Sequence, residues 1–508
     1  MQINVVDVLP PAHSNTDELY LLKDNWDDWF EFRTQYNLVF STKGKHVVIG
    51  PTKIGRLGQL EESPPIPESF EQLDESFFSI GQDPSFYEKL NSMGAAMRRQ
   101  ILVHLRDFAY DLSIYDRVKF ERVTERSLMR SLTELTVREQ FNRMAQGGAR
   151  LTEFNFRYRV SASYAGGVPD FHEIPFDVTP YSRPPSNIHV LVGRNGAGKT
   201  TLLANMAIDL LSANDTRTNS GKFLNDSPRS QIFANLVSVS FSAFDPFRTP
   251  SDNLEIKYSY VGLHRRTSEP GTHGNLKDFQ RLAGEFTESV ANCLQTPDKI
   301  ERWKRALIAL ESDPNFAELG LSGLVSGSGP INELPRVAGR QYEELSSGHK
   351  IVLLTMTRLV ESVEEKTLVL IDEPESHLHP PLLSAFVRAL SDLLADRNGV
   401  AIIATHSPVV LQEVPRRCVW KIRRSGRQSV IERPTLETFG ENVGTLTREV
   451  FGLEVSKSGF HRIIADAVDQ GMSFERIEEY FEGSLGGEAR ILARSLIAIR
   501  DQSPWGSE

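Results

Sequence analysis

One eight-residue run, Gly193-Arg194-Asn195-Gly196-Ala197-Gly198-Lys199-Thr200, constrains the fold of this chain more than any other feature. It fills the pattern G-x-x-x-x-G-K-[ST] completely. The apolar, β-branched run Ile188-His189-Val190-Leu191-Val192 precedes it, and Thr201-Leu202-Leu203-Ala204-Asn205-Met206 opens a helical pattern after it. Strand, glycine-rich turn and helix in that order belong to a parallel, helix-covered sheet, so the fold class expected is α/β. Glycines let consecutive backbone N–H groups turn inward without a Cβ in the way, forming a nest for phosphate oxygens. The helix N-terminus adds its positive dipole end at the same place. Lys199 reaches the β- and γ-phosphates of a triphosphate, and the Thr200 hydroxyl is a ligand for Mg²⁺. Gly193, Asn195, Gly196, Ala197, Gly198, Lys199, Thr200 and Thr201 are therefore the candidate phosphate contacts.

A second strand-like run, Thr367-Leu368-Val369-Leu370-Ile371, ends in Asp372-Glu373-Pro374-Glu375. Carboxylates at the C-terminal edge of such a strand stand where ligands of open α/β sheets bind. Asp372 suits the Mg²⁺ sphere, and Glu373 suits a general base or water orienter. By itself a carboxylate pair there is as often a solvated cap; beside a complete phosphate loop it reads as catalytic. Two weaker signals complete the set. Leu345-Ser346-Ser347-Gly348-His349 precedes an apolar helix, where serine is an ordinary N-cap. Ala401-Ile402-Ile403-Ala404-Thr405-His406 is a strand ending in a histidine, which alone is more often structural than catalytic. Their order along the chain carries the information.

Around this core the 508 residues, at about 150 per domain, leave room for about three units. Residues 1–148 read as a separate α+β domain, with a hairpin around Ser41-Thr42-Lys43-Gly44 and helical patterns from about Ser85 to Met144. Residues 149–435 hold the motifs, with a helical, lid-like insertion over about 250–340, and 436–508 read as a helical C-terminal region. No apolar run reaches the 18 or more residues a membrane helix needs. The N-terminus lacks a basic stretch and a long apolar core, so no signal peptide is expected. The two cysteines, Cys293 and Cys418, make no disulfide framework, which suits a reducing cytoplasm. With 57 basic against 67 acidic residues the chain carries a net −10, so contact with nucleic acid would need a local patch. The densest is Arg416, Arg417, Lys421, Arg423, Arg424, Arg427 and Arg433, which could present a basic ribbon to phosphates, although such a run is more often a solvated face.

The succession of phosphate loop, Leu-Ser-Ser-Gly-His, Asp-Glu and His resembles the ABC-type ATPases, a P-loop NTPase group, and within them the soluble SMC, RecF and OLD-like proteins. Leu345 to His349 looks like the ABC signature, Asp372-Glu373 like the Walker B pair and His406 like the switch histidine. Glu373-Pro374-Glu375-Ser376-His377-Leu378-His379-Pro380 is similar to the form in OLD-like prokaryotic defence ATPases. The resemblance covers about residues 150 to 435. It implies ATP and Mg²⁺ as cofactors and a head-to-tail homodimer or higher oligomer. In that arrangement the phosphate loop of one chain faces Ser346, Ser347 and Gly348 of another, and His406 meets the γ-phosphate or the attacking water. One departure stands out: the strand Val237 to Phe241 is followed by Ser242-Ala243-Phe244-Asp245-Pro246, where the family has a glutamine. His377 and His379 invite a metal reading, but the acidic side chains beside them in sequence belong to the nucleotide site.

The resemblance also bears on output. No long heptad insertion of SMC type and no C-terminal Toprim, HNH or zinc-nuclease pattern is visible, so a nuclease would act in trans. This organisation resembles the ATPase subunit of Septu-type antiphage systems, with an HNH-type nuclease as partner and DNA as a candidate effector. Asp24-Asn25-Trp26-Asp27-Asp28-Trp29-Phe30 could offer a recognition or docking surface, although such aromatics are more often ordinary core. A RecF-like DNA repair ATPase and a nucleotide-dependent assembly scaffold with little turnover are the competing readings.

Overall fold

The computed structural model describes residues 2–11, 17–24, 31–60, 62–148, 151–161, 173–211, 221–225, 232–241, 256–265, 275–295, 297–326, 333–425, 428–452 and 459–502. Its centre is a seven-stranded sheet. The strands are β9 (Ile188–Gly193), β11 (Asn235–Ser240), β12 (Lys257–Gly262), β13 (Thr367–Asp372), β14 (Val400–Thr405), β15 (Val419–Ser425) and β16 (Gln428–Glu432), ordered β12-β11-β13-β14-β9-β15-β16. All neighbours pair in parallel except β15 and β16. Every residue of β9, β11, β13 and β14 is buried, as expected for strands covered by helices on both faces.

The two faces carry different helices. On one, alternate residues Leu191, Leu368, Leu370 and Ile402 pack with Leu202, Leu203 and Met206 of helix α1 (Lys199–Leu211). On the other, Val190, Val369, Ile371 and Ile403 pack with Leu353 and Met356 of a later helix, α5 (Ser347–Ser362). The same layer holds α2 (Phe279–Cys293), α3 (Pro297–Leu310), α4 (Leu334–Glu344) and α6 (Pro380–Ala395). A small antiparallel sheet, β10 (Gly221–Leu224), β7 (Phe154–Val160) and β8 (Glu173–Val178), closes the α1 side with the stacked rings of Phe156 and Phe176 at 4.9 Å.

Residues 3–81 form a second, six-stranded sheet ordered β5-β1-β2-β3-β4-β6, from β1 (Ile3–Val6), β2 (Glu18–Lys23), β3 (Gln35–Thr42), β4 (Lys45–Arg56), β5 (Ser69–Phe70) and β6 (Phe77–Gly81). The expected hairpin is β3–β4, turning through Lys43 and Gly44 at positive φ. Its own hydrophobic cluster includes Phe78, Phe86, Tyr87 and Phe108. The helical stretch that follows is more broken than its periodicity suggests, because two π-helical turns, Thr124–Leu128 and Thr136–Phe141, interrupt it. Cross-links tie this unit to the large sheet: Asp83 meets Arg397 at 3.2 Å with both side chains buried, and Arg143 lies 3.6 Å from Glu365.

Two further differences concern boundaries. The insertion read as helical begins with a strand, since β12 forms the sheet edge beside β11. Near the C-terminus, Leu446 and Val450 of the helix Val443–Phe451 join the core of the large sheet, whereas α7 (Gly459–Asp469), α8 (Phe474–Tyr480) and α9 (Gly487–Gln502) share a small cluster of their own. Among the described residues no helix is long and apolar enough to cross a membrane.

Candidate functional site

Register alone brings the three strand ends together. Asp372 pairs across to Ala404, Thr405 to Val192, and Ile422 to Gly193, so Asp372, His406 and the phosphate loop emerge side by side at the C-terminal edge of the sheet. The chain leaves β9 toward β11 on one side and later lays β15 on the other, which opens a crevice there. Gly193 is fixed by crowding: a Cβ would sit 2.2 Å from the Ile422 carbonyl oxygen. Gly196 and Gly198 turn at φ +78° and +97°, the left-handed backbone that aims amides inward. Asn195 and Gly196 are exposed at the tip, Ala197 is buried beneath, and Thr201 is exposed in the first turn of α1.

Lys199 is buried at 4% exposure, and its Nζ donates to the carbonyls of Gly193 at 3.0 Å and Arg194 at 3.2 Å. Burial lowers its pKa, an effect opposed by the carboxylates of Glu373, Glu375 and Asp372. An ammonium held in a partly desolvated loop by weak neutral acceptors is matched to an incoming polyanion. The Thr200 hydroxyl donates to both Asp372 oxygens, at 2.9 and 3.1 Å. This hydroxyl–carboxylate pair is a hard, all-oxygen donor set and fits Mg²⁺.

Glu373 holds φ +45°, ψ 59°, a left-handed conformation that costs a residue with a Cβ about 1 kcal/mol. Strain of this kind concentrates at functional sites. Its amide is anchored to the Ala404 carbonyl at 2.9 Å, and its carboxylate lies 3.7 Å from His406 Nδ1. Glu375 is the residue the sequence reading left without a role. Its Oε1 accepts the Thr405 hydroxyl and the His406 amide, both at 2.7 Å, and stands 3.0 Å from His406 Nδ1, off the direction of a hydrogen bond. It therefore fixes the switch strand's end; the repeated acid in Glu-Pro-Glu was the available signal.

Ser346, Ser347 and Gly348 lie elsewhere. Helix α5 packs over β11 and β12 on the face opposite α1 and leads back into the start of β13, so its N-terminus reaches the same sheet edge from the other side. Gly348 packs so closely that a Cβ would lie 2.5 Å from the His377 carbonyl. Ser346 occupies the N-cap position, yet its side chain caps no amide; its Oγ pairs with His349 Nδ1 at 2.6 Å. Ser346 and Ser347 are exposed. One chain thus assembles Lys199, Thr200, Asp372, Glu373 and His406, and holds the Ser346 turn apart from them.

A family model described as "AAA domain, putative AbiEii toxin, Type IV TA system" matches residues 227–412, a span holding Ser346, Asp372, Glu373 and His406. Protein ea59 of Escherichia phage lambda is 40% identical over 526 aligned positions, covering 97% of this chain and 97% of that protein. The chain belongs to the ea59 family. Solved structures overlap this ea59-family chain more loosely. The ADP conformation of an ATP-binding cassette of an ABC transporter gives a TM-score of 0.31 at 15% identity, covering 61% of this chain and 100% of that one. The SMC head domain from Thermotoga maritima gives 0.29 at 14%, covering 56% and 100%. The strand order and the loop show an α/β sheet carrying a phosphate loop, and the AAA-domain match covers the strands that follow it.

Two expectations fall partly or wholly on other ground. The loop Ser242 to Pro246 and residues Asn25 to Phe30 of the tryptophan-bearing stretch lie outside the described residues. The basic stretch is largely committed within the ea59-family fold: buried Lys421 pairs with Glu449 at 2.7 Å, Arg433 lies over the Trp420 ring at 3.5 Å, and Arg417 donates to the Pro184 carbonyl at 3.2 Å. Arg423 pairs with Glu432 at 3.4 Å, and Arg427 lies outside the described residues. Lys421 and Arg423 are thus already paired with carboxylates, which lowers the number of counterions this stretch would release from DNA.

Proposed function

We propose that the chain is an ATP-binding and ATP-hydrolysing switch that dimerises head to tail around the nucleotide. The observation carrying this reading is the division of the site between the two faces of the sheet. Phosphate loop, Asp372, Glu373 and His406 share one cleft, while the exposed Ser346 turn reaches the same edge from the opposite face. In the head-to-tail arrangement a second copy would supply the Ser346 turn. Mg²⁺-bound ATP supplies the phosphoanhydride bond whose hydrolysis drives the switch. Lys199 neutralises the phosphate charge and gives up the Gly193 and Arg194 carbonyls to do so. Thr200 and Asp372 are the residues that would hold the metal. The Glu373 carboxylate takes the proton of the attacking water, and His406, braced by Glu375, orients beside it.

The output we infer is control of a toxic effector in trans, such as an HNH-type nuclease, in a defence system of OLD- or Septu-like kind. The AbiEii toxin description of the matched domain supports a link to regulated toxicity, and the phage-borne relative fits a resident phage as carrier. In Glu373→Gln the base is lost while charge-independent contacts remain. Expected are ATP-dependent dimers in sedimentation or light scattering, with turnover down at least 100-fold. A variant that stays monomeric with bound ATP overturns the dimer reading; unchanged turnover removes Glu373 as the base.

A further inference from the structure

Behind the Ser346 turn three metal-ligating side chains from distant parts of the chain converge. Asp313 comes from the insertion, where it caps the helix Pro314–Leu319; His349 comes from the first turn of α5; His379 comes from the N-cap of α6. His349 Nε2 lies 3.1 Å from Asp313 Oδ1, and His379 Nε2 lies 3.2 Å from Asp313 Oδ2. One ligand atom from each falls within 4.8 Å of the others. Donors around a tetrahedral Zn²⁺ with bonds of about 2.0–2.1 Å stand about 3.3 Å apart; each imidazole is already at that spacing from one Asp313 oxygen, His349 from Oδ1 and His379 from Oδ2, so the carboxylate either binds through both oxygens or turns to present one of them to both rings. Asp313 and His349 are buried and His379 is half exposed, leaving a solvent-side position for a fourth ligand. His377, adjacent in the sequence motif, turns away and bonds the Phe241 carbonyl at 3.2 Å.

We propose that Asp313, His349 and His379 bind a divalent transition-metal ion of the Zn²⁺ class. Two imidazoles and one carboxylate favour such an ion over Mg²⁺ or Ca²⁺, which prefer all-oxygen sets. The site is separate from Thr200 and Asp372, and its acid is one the sequence neighbours of His379 do not provide. It also has an outer shell, because the remaining nitrogen of His349 meets Ser346 Oγ at 2.6 Å. That contact gives the ion a consequence, resting on the dimer reading of Ser346. In the tautomer with its proton on Nε2, His349 donates to Asp313, with Asn315 Nδ2 at 3.3 Å from the same nitrogen, and Nδ1 is then a lone pair that takes the hydroxyl hydrogen of Ser346. An ion on Nε2 moves that proton to Nδ1, which then donates to Ser346 Oγ and frees the hydroxyl hydrogen to point outward. His379 likewise carries its proton on Nδ1, giving up a long 3.4 Å bond from the Leu382 amide. In each ring the proton moves from Nε2 to Nδ1, and none is gained or lost.

The test uses the full chain, stripped with a chelator, dialysed and free of nucleotide, so it does not depend on the switch. Titration with Co²⁺ is expected to give the intense visible bands of a tetrahedral site at one ion per chain, displaced by Zn²⁺. His379→Gln, a half-exposed position, should weaken binding at least tenfold, and His377→Gln should leave it unchanged. Absence of those bands, or equal affinity in His379→Gln, overturns the site and leaves a hydrogen-bonded relay. With Mg²⁺ and ATP restored, Zn²⁺-loaded Glu373→Gln should dimerise at several-fold lower protein concentration than the stripped form. Equal dimerisation of the two overturns the link to Ser346 while the metal site stands.

Discussion

Lys199 shows how much chemistry a single side chain in the phosphate loop concentrates. Its ammonium is buried, its pKa is lowered by that burial, and its hydrogen bonds go to two carbonyls of the loop itself. Exchanging neutral carbonyls for phosphate oxygens puts an ionised acceptor opposite the ionised donor, and hydrogen bonds to charged groups are worth about 1.5–3 kcal/mol. Lys199→Ala should therefore weaken ATP binding by at least tenfold, read by calorimetry or a fluorescent nucleotide, with the circular dichroism spectrum retained. Wild-type affinity in that variant would contradict the loop assignment. At this scale the sequence was highly legible, because the chemistry of phosphate binding demands fixed residue types at fixed spacing. The roles of Glu375 and Asp313 were not legible. Each acts through a partner far away in sequence, His406 in one case and His349 in the other, and no spacing rule links them.

The elements that could be read were those with a strong period. Runs such as Thr367–Asp372 and Val400–Thr405 are apolar throughout because helices cover both faces of their sheet, and they stood out for that reason. The strand β12 did not, because Lys257-Tyr258-Ser259-Tyr260-Val261-Gly262 is an edge strand whose polar residues hide its partner. The π-helical turns were likewise hidden, since their periodicity departs from 3.6 only locally. Close packing between α5 and the turn Pro374–His377 is legible only in three dimensions, and it makes Gly348 a precise probe of the Ser346 turn in the proposed dimer. A methyl group there would meet the His377 carbonyl at 2.5 Å and force the Ser346 turn outward. In Gly348→Ala, ATP affinity of the monomer should stay within about twofold of wild type, because the phosphate loop lies on the opposite face. ATP-dependent dimerisation should fall at least tenfold, measured by sedimentation in the Glu373→Gln background. Parallel loss of nucleotide affinity would mean that the two elements share a site within one chain.

For the whole molecule, the junction between the N-terminal sheet and the seven-stranded sheet is built from buried charge. Glu365 is fully buried, with Arg143 at 3.6 Å and Asn398 Nδ2 at 3.4 Å, and its Oε2 accepts no hydrogen bond. Burial dominates these partners and raises its pKa from 4.5 to about 7. The sign of the effect follows from proton counting: between those two values the folded chain holds a proton that the unfolded chain has released, so stability falls as pH climbs through the window. The full contribution, reached above pH 7, is about 3 kcal/mol. Glu365→Gln keeps the shape and the contact with Asn398 but has no proton to lose. The gap in unfolding free energy between variant and wild type should then shift in the variant's favour by about 3 kcal/mol from pH 4.5 to pH 8, measured by urea denaturation. Taking the difference cancels groups that both proteins share, such as buried Asp107, whose pKa is raised to about 6. The same comparison reports on the coupling of the two units, since Arg143 belongs to the N-terminal unit and Glu365 directly precedes the strand that ends in Asp372. A gap that does not change with pH would mean that Glu365 stays charged, held by Arg143, and that the junction is a permanent ion pair.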